Sequence, residues 1–113
     1  MAQLPAQTTA DVLKLQQRLL TIIDQATAAS FLILERYGET ETTLTDLEQL
    51  DNTRERADTY YSRFYALLKR IAEAQPSADP AMLNLLTIAI AEAESTAEAL
   101  EATLAETKGD WNL

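Results

Sequence analysis

Four acidic side chains in the middle of the chain are the residues whose types and spacing best fit a chemical role. They are Glu48, Asp51, Glu55 and Asp58. Their intervals of three and four residues place them along one face of a helix. Carboxylate oxygens one helical turn apart are suitable ligands for Mg²⁺ or Mn²⁺. One hypothesis is therefore a divalent-metal-dependent phosphohydrolase that acts on a phosphorylated small molecule.

The competing interpretation of these acids is an ordinary solvated helix face. Several arginines lie close to them in the sequence and can form surface ion pairs. In four-helix carboxylate sites the ligands lie inside the bundle and include histidine, whereas this chain has no histidine. The solvated face is the favoured interpretation, and we expect no metal and no cofactor.

The amino-acid composition excludes most other kinds of catalytic and metal site. The chain contains neither cysteine nor histidine, so thiolate nucleophiles, cysteine–zinc sites and histidine general bases are excluded. The net charge is −9, which works against binding to phosphate backbones and anionic membranes. We therefore expect a non-enzymatic protein that does not bind nucleic acid.

The elements that position these residues are three long helices. A heptad stripe at alternating spacings of three and four residues marks the middle helix, and similar stripes precede and follow it. The stripe of the middle helix is Leu47, Leu50, Arg54, Ala57, Tyr61, Phe64, Leu68 and Ile71. The predicted helices cover about 9–37, 44–74 and 80–107, with flexible ends at 1–7 and 109–113.

Short breaks separate the helices. Gly38 and Gly109 are the expected C-terminal stops, Thr43 or Thr45 the N-cap of helix two, and Asp79 followed by Pro80 the start of helix three. Helices of similar length joined by short loops pack as neighbours. The predicted fold is all-α: a single domain over 1–113, forming an elongated antiparallel up-down-up bundle with coiled-coil-like packing. A helix exchanged between subunits is the main alternative.

An apolar surplus suggests the function. Residues 31–34 and 82–91 are apolar around much of the helix, more than three helices can cover, and exposed apolar patches mark interfaces. The expected partner-binding residues are Phe31, Leu32, Tyr65, Leu85, Ile88 and Trp111. For Trp111 the alternative is packing over the open end of the bundle. In helix one, a second apolar stripe that includes Leu13, Leu20 and Leu34 is expected to contact a second neighbouring helix.

These features predict a helical protein-interaction module: an adaptor, assembly factor or small chaperone. Its expected partner is a second copy of itself or another protein, with a homodimer favoured. The sequence shows no apolar run of about 20 residues and no signal-peptide pattern, so we expect a cytoplasmic protein without membrane insertion.

Overall fold

The computed structural model describes residues 4–113. It contains three helices: α1 (Ala6–Tyr37), α2 (Glu41–Glu73) and α3 (Pro80–Trp111). Within this range there is no strand. Each helix packs against the other two, in a body of 56 × 18 × 17 Å. The predicted all-helical architecture of three mutually packed helices is confirmed.

The buried stripe of α1 is the one that its heptad pattern predicts. It consists of Val12, Leu15, Leu19, Ile22, Ala26, Ala29 and Ile33. In α2 the buried stripe is rotated relative to the predicted one. Thr53 and Leu67 are buried, whereas Leu47, Arg54 and Tyr61 are only half-buried. The buried hydroxyl of Thr53 donates a hydrogen bond to the carbonyl of Gln49, so its burial leaves no unpaired polar atom.

Helix α2 begins earlier than its sequence suggests. Thr40 is the N-cap: its hydroxyl accepts from the Thr43 amide at 3.2 Å, and the Thr43 hydroxyl accepts from the Thr40 amide at 2.9 Å. This reciprocal pair satisfies two backbone donors that the first turn would leave open. Thr43 is thus the third helical residue, and the predicted caps at Thr43 and Thr45 are wrong. Gly38 follows α1 with a positive φ of 74°, as predicted.

Helix α3 starts as predicted but runs further than its sequence suggests. The Asp79 carboxylate accepts from the Ala81 amide at 2.9 Å, and Pro80 is the first helical residue. At the other end the helix passes through Gly109 and ends at Trp111, with Asn112 in the left-handed conformation. The segment predicted as a flexible end therefore continues α3 by a turn.

Candidate interaction surface

The residues predicted to bind a partner differ widely in exposure. Phe31 and Tyr65 are 63% and 64% exposed, and Leu85 and Ile88 are 57% and 46% exposed. These four are available to a partner. Leu32 is half-buried, so it offers a partner less surface than the apolar run 31–34 predicts.

The structure divides Phe31, Leu85 and Ile88 between two grooves. Phe31 lines a groove between α1 and α2, whose α2 wall includes Leu50 and Arg54. Leu85 and Ile88 line a separate groove between α2 and α3, whose α2 wall runs from Arg63 to Leu67. These two stretches of α2 are centred 13 residues apart, which is about 20 Å along a helix. The predicted anchors therefore do not form one surface.

The first groove borders a longer apolar strip of α1. Gln16 donates a hydrogen bond to the backbone carbonyl of Tyr61 at 3.4 Å, and Ser30 lines the groove, so the row that contains Gln16 and Ser30 lies next to α2. A second, outer row of α1, further from α2, lies three residues before and four residues after each of these two residues. Its members are Leu13, Leu20, Thr27 and Leu34. The three leucines are exposed, although the sequence predicted that a second helix would cover this stripe.

A matching outer row borders the groove on α2. Asp51 and Arg54 line the groove itself. The row that passes through Asp51 at heptad spacing is Leu44, Asp51, Asp58 and Tyr65, and all four are exposed. We call the two outer rows, together with Phe31, the α1–α2 face. A groove of about 310 Å³ opens on it, lined by Thr27, Phe31, Leu34 and Leu50 among others.

The acidic residues of α2 lie on an exposed face of the helix. Glu48, Asp51, Glu55 and Asp58 are all exposed. The Arg54 guanidinium lies 3.0 Å from Asp51 and 3.5 Å from Glu55, within the same helix. In the described part of the chain, no group of three or more acidic side chains is placed to hold a metal ion. These acids have the geometry of a solvated face with local ion pairs.

Three acidic residues of α3, Glu94, Glu98 and Glu101, lie on the side of α1. Glu101 accepts two hydrogen bonds from the Arg18 guanidinium, at 2.9 and 2.5 Å. These bonds favour the charged carboxylate and lower the pKa of Glu101, against a smaller opposing effect of burial. Glu94 and Glu98 line the neighbouring groove with Lys14 and Arg18. The basic side chains of α1 that neutralise α3 are therefore directed away from the α1–α2 face.

Trp111 makes its contacts within the chain. Its indole Nε1 donates to the Asp46 carboxylate at 2.6 Å, and its ring lies 5.0 Å from the Tyr37 ring at an interplanar angle of 52°. Trp111 thus ties the end of α3 to the last residue of α1 and to the beginning of α2. Trp111 therefore packs over this end of the bundle, and its binding to a partner stays a prediction.

Comparisons of the chain with protein-family models, with curated proteins and with solved structures found no match. Between residues 4 and 113, none of the helices has the length and apolar character needed to cross a membrane. A functional interpretation therefore depends on the geometry of the surface itself.

Proposed function

We propose that this protein is a non-enzymatic interaction module, an adaptor, assembly factor or small chaperone, that binds another protein through the α1–α2 face. The observation that supports this proposal is the strip of large apolar side chains left exposed on that face. They are Leu13, Leu20, Phe31, Leu34, Leu44 and Tyr65. Scattered single apolar residues are normal on protein surfaces, whereas several large ones gathered on one face of a helix pair favour an interface.

The proposal includes an up-down-up order of the helices. Gln16 of α1 bonds to Tyr61 of α2, whereas the later residue Phe31 shares a groove with the earlier residue Leu50. This opposite order supports antiparallel packing of α1 and α2. In contrast, Arg18 of α1 pairs with Glu101 of α3, and residues just before Arg18 line a groove with residues just before Glu101, which supports a parallel pair. With this order, the outer row from Leu13 to Leu34 runs beside α2 for about 30 Å.

The size of the strip suits reversible binding. Its six side chains are roughly half exposed, and together they present on the order of 500 Å² of apolar area. At about 25 cal/mol per Å², covering this area favours binding by roughly 12 kcal/mol. Lost translational and rotational freedom opposes binding by about 4–15 kcal/mol. The balance favours a transient complex in which a partner helix packs against the strip.

The test is to place a charge on the face and, as a matched control, in the other groove. Leu20→Glu and Phe31→Glu alter the α1–α2 face, and Leu85→Glu makes the same kind of change between α2 and α3. All three positions are exposed, so each variant should keep the native melting temperature. We expect affinity capture from the source cells to lose the same protein with L20E and F31E, and to retain it with L85E. An identical set of captured proteins for all four chains would contradict the proposal.

Self-association stays a prediction, which light scattering on the same four proteins tests. A dimer that L20E dissociates and L85E does not would make a second copy the occupant of this face. Leu85 and Ile88 as partner anchors also stay predictions, and the proposal does not depend on them.

A further inference from the structure

We infer that the occupant of the α1–α2 face is a helix whose apolar stripe is flanked by lysine or arginine. This inference rests on the proposed function and specifies its partner. It comes from the different character of the two rows that border the groove. The α1 row is apolar except for Thr27, whereas Asp51 and Asp58 separate Leu44 from Tyr65 on the α2 row.

The acids of this face are only partly neutralised by the protein itself. Glu48 and Glu55 lie next to Asp51 and Asp58, so four carboxylates follow the edge of the groove. Arg54 also lines the groove, but its guanidinium is already shared between Asp51 and Glu55. Lys69 follows Glu48 and Glu55 at heptad spacing, so two basic side chains beside four carboxylates leave this edge with a net negative charge.

Three other basic side chains of α1 and α2 lie on the side of α3. Lys14 and Arg18 line the groove between α1 and α3. Arg63 lies 3.6 Å from Glu92 of α3 and packs over the Tyr60 ring. An incoming helix would therefore meet apolar side chains in the groove and carboxylates along the α2 edge. Lysine or arginine beside its own apolar stripe would complement those carboxylates.

The same charges disfavour a second copy as the occupant. Two copies that met through this face would place both acidic edges in one interface, and each copy carries a net charge of −9. Like charges at an interface oppose association and slow the encounter. The strip of about 30 Å matches a helix of about 20 residues, at 1.5 Å per residue.

Three labelled peptides of 21 residues test the inference against the full chain by fluorescence anisotropy. The first has leucines at heptad spacing flanked by lysine and arginine, the second has the same leucines flanked by glutamate, and the third is a scrambled version of the first. We expect the first peptide to bind at least tenfold more tightly than either of the others, and to bind more weakly as salt is raised. L20E should abolish its binding, and L85E should leave its affinity unchanged.

The contribution of the acids is tested by removing charge on two sides of the bundle. The double variant Asp51→Asn/Asp58→Asn should weaken binding of the basic peptide roughly three- to tenfold. The control variant Glu94→Gln/Glu98→Gln removes the same charge from the groove between α1 and α3, and it should change the affinity less than twofold. Equal weakening by both variants would mean that only the total charge matters, which would overturn the inference.

The remaining outcomes separate this inference from the proposed function. If the glutamate-flanked peptide binds as tightly as the basic one and L20E abolishes both, the face binds helices without the proposed charge preference. Equal binding of the scrambled peptide would indicate simple charge attraction and overturn the inference. If the basic peptide does not bind, the inference also fails. In that case, a dimer that L20E dissociates would still support the proposed interaction function. If L20E has no effect in any assay, both the inference and the proposed function are refuted.

Discussion

Removing the hydrogen bond between Trp111 and Asp46 should destabilise the bundle measurably. Trp111→Phe keeps an aromatic ring against Tyr37 but removes the indole donor, which lies 2.6 Å from the Asp46 carboxylate. A hydrogen bond to a charged group contributes about 1.5–3 kcal/mol when well buried. Both partners are half-buried here, so we expect a loss of about 1 kcal/mol. For a domain of this size, that loss lowers the melting temperature by roughly 4 °C.

The assay is thermal and urea unfolding followed by circular dichroism at 222 nm, with a double-mutant cycle. Asp46→Ala should lower the stability by a similar amount, and the double variant should lose little more than either single variant, because both remove the same bond. The expected coupling energy is about 1 kcal/mol. Additive losses, or W111F melting within about 1 °C of the native protein, would refute the conclusion that Trp111 stabilises the bundle by linking the end of α3 to α2.

Four further predictions concern stability. Phe64 is fully buried, so Phe64→Ala should cost about 3–5 kcal/mol in urea unfolding, and a loss below about 1 kcal/mol would contradict its place in the core. Gly38→Ala should destabilise the fold by about 1 kcal/mol or more because of the positive φ of Gly38. Gly109 lies inside α3 with open space around it, so Gly109→Ala should stabilise the fold by about 0.5–1 kcal/mol. Stability changes of the same sign for both variants in thermal unfolding would be inconsistent with the structure. Because Arg18 lowers the pKa of Glu101, their pair stabilises the fold at neutral pH, and this contribution is lost as the pH falls through the lowered value. Glu101→Gln should thus cost about 0.2–1 kcal/mol at pH 7 and little at pH 2, and an equal loss at both pH values would argue against the pair. Millimolar Mg²⁺ should leave the melting temperature unchanged, and a rise of several degrees would support the metal-site hypothesis.

The fold could be predicted from the sequence where one periodic pattern determines the structure. The seven buried residues of α1 follow its heptad stripe, and Asp79–Pro80 marks the start of α3 through local backbone chemistry. The end of α3 depends instead on tertiary contacts. Gly109 in a helix costs about 1 kcal/mol relative to alanine, and the contacts of Trp111 with Asp46 and Tyr37 offset that cost.

The candidate site could be predicted only in part. The sequence identifies Phe31, Leu85 and Ile88 as surplus apolar residues, and the structure leaves them exposed. The groove that each residue lines depends on how the helices are rotated about their axes. No local sequence pattern determines that rotation. Leu13 and Leu20 show the same difficulty, because an apolar stripe on a helix indicates that something should cover it without indicating whether a helix of the same chain does so.

The most direct test of the α1–α2 face is chemical-shift mapping of the isotopically labelled protein during titration with the basic amphipathic peptide. The proposal predicts that the largest amide shifts cluster around Leu20, Phe31 and Arg54, while amides around Leu85 and Ile88 stay unchanged. Shifts centred on Leu85 and Ile88, or no saturable shifts at all, would contradict it.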